Sequence, residues 1–153
     1  MEYEKLLMES DETGISVKEK SFDSSSRGLI NGRKIAINKK IHTAVEKSCV
    51  LAEELGHYHT SVGDIIDLTD TVNSRQEYRA RLWAYDKQIG LIGIINAYEN
   101  HCGNFHDMAE YLNVTESFLV EALECYKNKY GNCKKIDNYL ICFEPYFCVV
   151  ELH

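Results

Sequence analysis

Between Thr43 and Thr60 the apolar positions Val45, Cys49, Ala52 and Leu55 or Gly56 recur at helical spacing and define one apolar face. Thr43 with Glu46 forms a T-x-x-E capping box, in which each side chain satisfies an orphan backbone donor, so a helix is predicted to start there. Upstream, Tyr3 to Ser10 reads as a short helix running into a turn at Asp11 to Gly14. Ile15, Val17 and Phe22 suggest an irregular strand, interrupted by the polar stretch Asp23 to Ser26. Gly28 to Asn38 carries the strongest turn signal: Asn31-Gly32 between apolar flanks predicts a type I′ hairpin, because both residues take positive φ cheaply. That hairpin delivers the chain to the Thr43 capping box, which places a small sheet beside the helix.

After Thr60 the pattern turns polar and loop-like from Ser61 to Asn73, with Ser61, Asp64, Asp67 and Asp70 as possible ligands or solvated groups. Ser74 to Glu77 is a second S-x-x-E capping box. The helix it starts carries Tyr78, Leu82, Trp83, Tyr85 and Ile89 and weakens at Gly90; Leu91 to Tyr98 is nearly all apolar and reads as a buried helix, with a strand as the alternative. Phe105 to Leu112 and Thr115 to Tyr130 form a helix pair around a turn at Asn113-Val114. Gly131 then stands where a helix end favours a left-handed residue. Alternation around Tyr139 to Phe143 and Cys148 to Leu152 predicts strands split by Pro145.

A chain of 153 residues fits one domain with a real core. Its formal net charge of −7 argues against a general binder of nucleic acid or anionic membrane, since both need clustered Lys and Arg. The helix pair has the tight turn of a helix-turn-helix, but its second helix, Glu116 to Glu124, holds three acids and no base before Lys127. Phosphates would repel that face, so core packing is the expected role and direct nucleic-acid binding is not. Six cysteines are scattered without a C-x-x-C, mostly in apolar runs, and no secretory or membrane-spanning segment is evident. The expectation is a cytoplasmic protein with free thiols.

The chemistry concentrates in Glu53-Glu54-Leu55-Gly56-His57. Glu53 and His57 lie four apart on one side of a helix, with Glu54 between them, in the geometry of H-E-x-x-H. There two ligands one turn apart hold a metal while the intervening Glu serves as base. Here the first histidine is a glutamate. The bland alternative is a solvent-facing acidic patch with a packing histidine. A metal site also needs a third ligand, and Glu77 is the candidate, twenty positions after His57, a spacing used by zinc peptidases whose third ligand is a glutamate. Glu77 is equally the N3 residue of the Ser74 capping box, and the two roles exclude each other. His59 faces away from His57 on a regular helix and becomes a ligand only if the helix ends at Gly56–His57. His42, His101, His106 and His153 give no spacing signal.

The hairpin, Cys49-Val-Leu-Ala-Glu-Glu-Leu-Gly-His57 and Gln76-Glu-Tyr-Arg-Ala-Arg-Leu-Trp-Ala-Tyr85 together resemble the ImmA/IrrE family of small metallopeptidases of phages, integrative elements and their hosts. The tail segments Ala109 to Thr115, Asp137-Asn-Tyr and Phe143-Glu-Pro145 look like its short phage-borne branch. The resemblance covers nearly all of the chain from about Arg33 onward. The family's H-E-x-x-H is followed by a glutamate ahead of an Ala-x-x-Phe-Ala helix, which here reads Ala80-Arg-Leu-Trp83-Ala84. The resemblance implies an α+β, mainly helical, zincin-like fold with a small β-sheet at one edge. It also implies Glu53, His57 and Glu77 as metal ligands and Glu54 as general base; Arg79 holds another position where relatives often have Glu. The implied cofactor is a divalent metal, Zn or, with harder oxygen ligands, Mn or Fe. The implied partner is a phage-type transcriptional repressor, cut to release the genes of a mobile element. Two carboxylates and one imidazole leave a divalent ion less positive than a His₂Glu set does, so it polarises water less. The departure at Glu53 therefore keeps a second reading open, a regulator that binds the repressor without cutting it.

Overall fold

The computed structural model describes residues 2–61 and 70–153. Its contacts fall into two compact units, Met1–Lys87 and Gln88–His153. The class is the expected one, mainly helical α+β, with six helices and two three-stranded sheets among the described residues.

The first unit begins with α1 (Glu2–Glu12), which buries Tyr3, Leu6 and Ser10 and packs on α2 (Ala44–Thr60). The Ser10 hydroxyl is satisfied in this apolar setting by donating to the Leu6 carbonyl at 2.7 Å. Three strands follow: β1 (Ser16–Lys20), β2 (Gly28–Asn31) and β3 (Lys34–Asn38). β3 is central, parallel to β1 and antiparallel to β2, so β2 is an edge. Ile35 and Ile37 alternate inward from β3, while Leu29 of β2 is exposed. The irregular strand stops at Lys20, short of Phe22. The hairpin exists but its loop is shifted by one residue: Asn31 pairs with Lys34, leaving Gly32-Arg33 as the two-residue turn. Gly32 alone of these takes positive φ, +61°, as in a II′ loop with Gly at its first central position.

Thr43 caps α2 as expected, its hydroxyl accepting from the Glu46 N–H at 3.2 Å. Cys49, Val50, Leu51, Ala52, Leu55 and Gly56 form the buried face of this helix. The second capping box does not form. α3 (Asp70–Gln88) is already one turn long at Ser74, so that residue lies inside the helix and caps nothing. Asp64 and Asp67 lie outside the described residues.

The second unit holds α4 (Gly90–Glu99), α5 (Phe105–Leu112), α6 (Glu116–Tyr130), β4 (Cys133–Ile136), β5 (Tyr139–Cys142) and β6 (Cys148–Glu151). Asn104 caps α5 and Thr115 caps α6, each side chain accepting from an N–H three residues on. Asn113, in the left-handed conformation, ends α5. α6 buries Phe118, Leu119, Ala122, Leu123 and Tyr126 and turns Glu116, Glu121 and Glu124 to solvent, so its apolar face is core. The tail forms a meander in the order β4-β5-β6. β4 escapes a pattern search because it reads Cys-Lys-Lys-Ile, with two central lysines. No helix among the described residues is long and apolar enough to cross a membrane.

Candidate metal centre

The site is built where α2 meets α3. Gly56 makes that meeting possible: a Cβ there would lie 2.2 Å from the Ala80 carbonyl oxygen, so only glycine lets the two backbones come this close. One residue on from Gly56 is His57, and three before Ala80 is Glu77. The backbone contact therefore brings their side chains together, with His57 Nε2 3.2 Å from Glu77 Oε2.

The other oxygen of Glu77, Oε1, accepts from Arg81 Nε at 3.0 Å. Arg81 lies one turn further along α3 and fixes the carboxylate so that Oε2 faces His57. With Ser74 inside the helix, Glu77 is free of the capping role that competed with ligation. Its side chain is 43% exposed and that of His57 28%, open enough for a solute to reach.

Glu54 points from α2 toward the edge strand. A Cβ at Gly28 of β2 would lie 2.8 Å from Val50 Cγ1, 3.0 Å from Glu54 Cγ and 3.1 Å from Glu54 Oε1, so the bare backbone of β2 is what covers Glu54. Burial there, reinforced by the negative charges of Glu53 and Glu77, pushes the Glu54 carboxyl up to about 7. Glu53 is half-buried, and its charge acts on both Glu54 and Arg81. His57 and Glu77 are thus brought together, whereas Glu53 acts on the site through its charge and does not join them as a third ligand atom within 4.8 Å; the excess of negative charge suits a cation. The His57–Glu77 separation also fits one: ligands about 2.0–2.1 Å from a tetrahedral ion stand about 3.3 Å apart.

A comparison with protein-family models matches residues 7–124 to peptidase M78, the IrrE N-terminal-like domain. The chain belongs to this family. No curated protein and no solved structure matches it. The matched stretch runs from α1 into α6 and contains Glu53, Glu54, His57 and Glu77; it ends ahead of β4. The family makes the protein metallopeptidase-like, and members of the family are generally metal-dependent.

Other sequence candidates of this IrrE-like chain take different positions. α2 continues regularly to Thr60, so the condition for His59 to turn toward His57 is not met. His59 instead stacks on Trp83 of α3, ring centroids 4.8 Å apart and 18° between planes. Burial, then the nearby Lys87, lowers the His59 pKa, which favours a neutral packing ring. Arg79 is exposed on α3.

One group went unnoticed in the sequence. His106, Asp107 and Glu110 of α5 bring three ligand atoms within 4.8 Å of one another, although all three are exposed. The i, i+4 spacing of His106 and Glu110 is the signal that could have found it. His106 also stands 3.8 Å from Glu116, so this is a surface ion cluster at the start of α5. In the same unit, a cavity of about 450 Å³ is lined by Ile94, Tyr98, Phe105, Met108 and Phe147 among others, apolar groups with none of the candidate ligands.

Proposed function

We propose that this protein is a metal-dependent endopeptidase in which Glu53, His57 and Glu77 hold a divalent ion and Glu54 is the general base. The observation that carries the reading is the 3.2 Å approach of His57 Nε2 to Glu77 Oε2, beside a carboxyl pushed up to about 7. A bound ion, zinc before manganese or iron by the usual affinity order, would supply Lewis-acid polarisation of a peptide carbonyl and of water. Glu54 takes the proton of the attacking water and returns it to the leaving amine. A carboxyl near 7 can do both at neutral pH, since it neither holds nor releases a proton too firmly. Arg81 positions Glu77. The substrate we propose is a transcriptional repressor of a phage or other mobile element, as the likeness of the short chain to that branch suggests.

The second reading, a regulator that binds the repressor without cutting it, draws on Glu53, whose charge weakens polarisation of water by any ion held beside it. Metal analysis of protein purified without chelators, beside His57→Ala and Glu77→Ala, tests the site. About one equivalent of transition metal, lost in both variants, is the expected result. Loss with His57→Ala alone moves the third ligand elsewhere. Glu54→Gln then separates the readings: cleavage lost with repressor binding kept supports catalysis, whereas unchanged control of the repressor sinks it.

A further inference from the structure

The C-terminal meander lines up three cysteines across its three strands. Cys133 of β4 stands opposite Cys142 of β5, and Cys142 stands opposite Cys148 of β6. None of the six cysteines is in a disulfide, and the Sγ atoms of Cys133 and Cys142 are 3.0 Å apart, within hydrogen-bond contact. The ladder distinguishes the two pairs. Phe143 N–H donates to the Asn132 carbonyl, making 132/143 a hydrogen-bonded pair. The next pair, 133/142, is then a non-hydrogen-bonded one, where Cα atoms are closest and facing side chains meet. Leu152 N–H donates to the Asn138 carbonyl, and the same alternation makes 142/148 a hydrogen-bonded, wider pair. A disulfide needs Cβ atoms about 3.8 Å apart, which the narrow pair offers and the wide pair offers less readily.

We propose that Cys133 and Cys142 form a reversible dithiol–disulfide site whose oxidant is a hydroperoxide. Exposure assigns the order of events. Cys133 is exposed and meets the oxidant first, whereas Cys142 is half-buried. Contact with Cys133, then burial, then Cys148 push the Cys142 thiol up to about 12, so it waits as a thiol. In the first step the Cys133 thiolate attacks one peroxide oxygen; the O–O bond breaks, giving a sulfenic acid and hydroxide from hydrogen peroxide. In the second, Cys142 sulfur attacks the sulfenyl sulfur, the S–O bond breaks, and the thiol proton leaves with the hydroxyl as water. The balance is two thiols and one hydrogen peroxide to one disulfide and two waters. The bond links β4 to β5 across the Asp137-Asn138 turn without moving either strand out of register. This site lies beyond the residues the family model matches and is independent of the proposed metal chemistry.

The test treats the full reduced chain with a small excess of hydrogen peroxide, alkylates with N-ethylmaleimide, and maps the links by mass spectrometry. Wild type and Cys148→Ser are expected to lose two hydrogens and yield one Cys133–Cys142 link, reversed by dithiothreitol. Cys133→Ser, which leaves only the wide pair, is expected to link at least tenfold more slowly, and Cys142→Ser to form no intramolecular link. Unchanged far-UV circular dichroism shows that the serine variants fold. Retention of all thiols by wild type would overturn the proposal. So would a Cys142–Cys148 link with Cys133 free, or equal rates in wild type and Cys133→Ser.

Discussion

Gly56→Ala sets two effects of opposite sign against each other. Alanine is the better helix former, and replacing glycine inside a helix stabilises by about 1 kcal/mol where nothing else changes. At this position the added Cβ would lie 2.2 Å from the Ala80 carbonyl oxygen and 2.9 Å from its carbonyl carbon. Ordinary contact begins near 3.4 Å, so α2 and α3 must part by roughly 1 Å, and the obstacle is backbone that cannot rotate away. Overpacking of this kind costs about 1–3 kcal/mol, occasionally more, because a packed interior shifts rather than yields. With immovable backbone as the obstacle the cost falls in the upper part of that range, about 2–3 kcal/mol, so the steric term wins with an expected net loss of about 1–2 kcal/mol. The same 1 Å opens the His57–Glu77 distance from 3.2 Å to about 4 Å, beyond the roughly 3.3 Å edge of a tetrahedral zinc site. Urea denaturation followed by circular dichroism measures the first effect and zinc titration the second. A variant that is more stable than wild type and binds zinc as tightly would refute the helix-crossing argument.

Gly28→Ala meets side chains rather than backbone, the buried Val50 Cγ1 at 2.8 Å and Glu54 Cγ at 3.0 Å; Glu54 can swing aside, the β-branched Val50 less readily. The expected outcome is a loss of about 1 kcal/mol in the same urea assay, with a large loss of the proposed peptidase activity because Glu54 has moved. Glu54 also makes the metal-free protein pH-sensitive. Its folded pKa is raised above the ordinary 4.5, so its contribution is complete below about pH 4.5 and is lost as pH rises through about 7. Across that window wild type should lose about 1–2 kcal/mol relative to Glu54→Gln, the discount for solvent at a half-buried site included; parallel pH–stability curves would contradict this. Arg81→Met frees Glu77 to rotate and should weaken metal binding about tenfold, measured by competition with a chelating dye. An unchanged Kd would remove Arg81 from its positioning role.

The helical face at Cys49 to Gly56, the Thr43 cap and the paired helices of the second unit were all legible, because each rests on local spacing or a single side-chain bond; Val45, expected on that face, is exposed one turn earlier. The second capping box misled for a physical reason. Ser74 to Glu77 carries the right residues, but a cap also requires the preceding backbone to be non-helical, and α3 already runs from Asp70. Glu77 is thereby released to face His57, a pairing that depends on the crossing at Gly56 and Ala80 and so on contacts no local window holds. Asn31-Gly32 was displaced by one residue because the inward alternation of Ile35 and Ile37 fixes the β2–β3 register, and the turn must follow it. The cysteine ladder was hidden by β4, whose lysines mask its strand character; its clue was symmetry, Cys133 and Cys142 being equidistant from the Asp137-Asn138 turn.

Glu53 raises the question of how a site with an extra carboxylate could still work. In the proposed ligand set it leaves the ion less positive, so water near it gives up a proton less readily. The base then has to be stronger than an ordinary carboxylate. Glu54 is moved in that direction by burial under β2, the largest cause, and next by the charge of Glu53 itself. Burial does not depend on whether an ion is bound, so part of the shift persists in the working site. In the proposed set, the Glu53 carboxylate that weakens the Lewis acid thus sits beside a carboxyl moved toward neutrality, which recovers part of the match between acid and base that the weaker ion gives up.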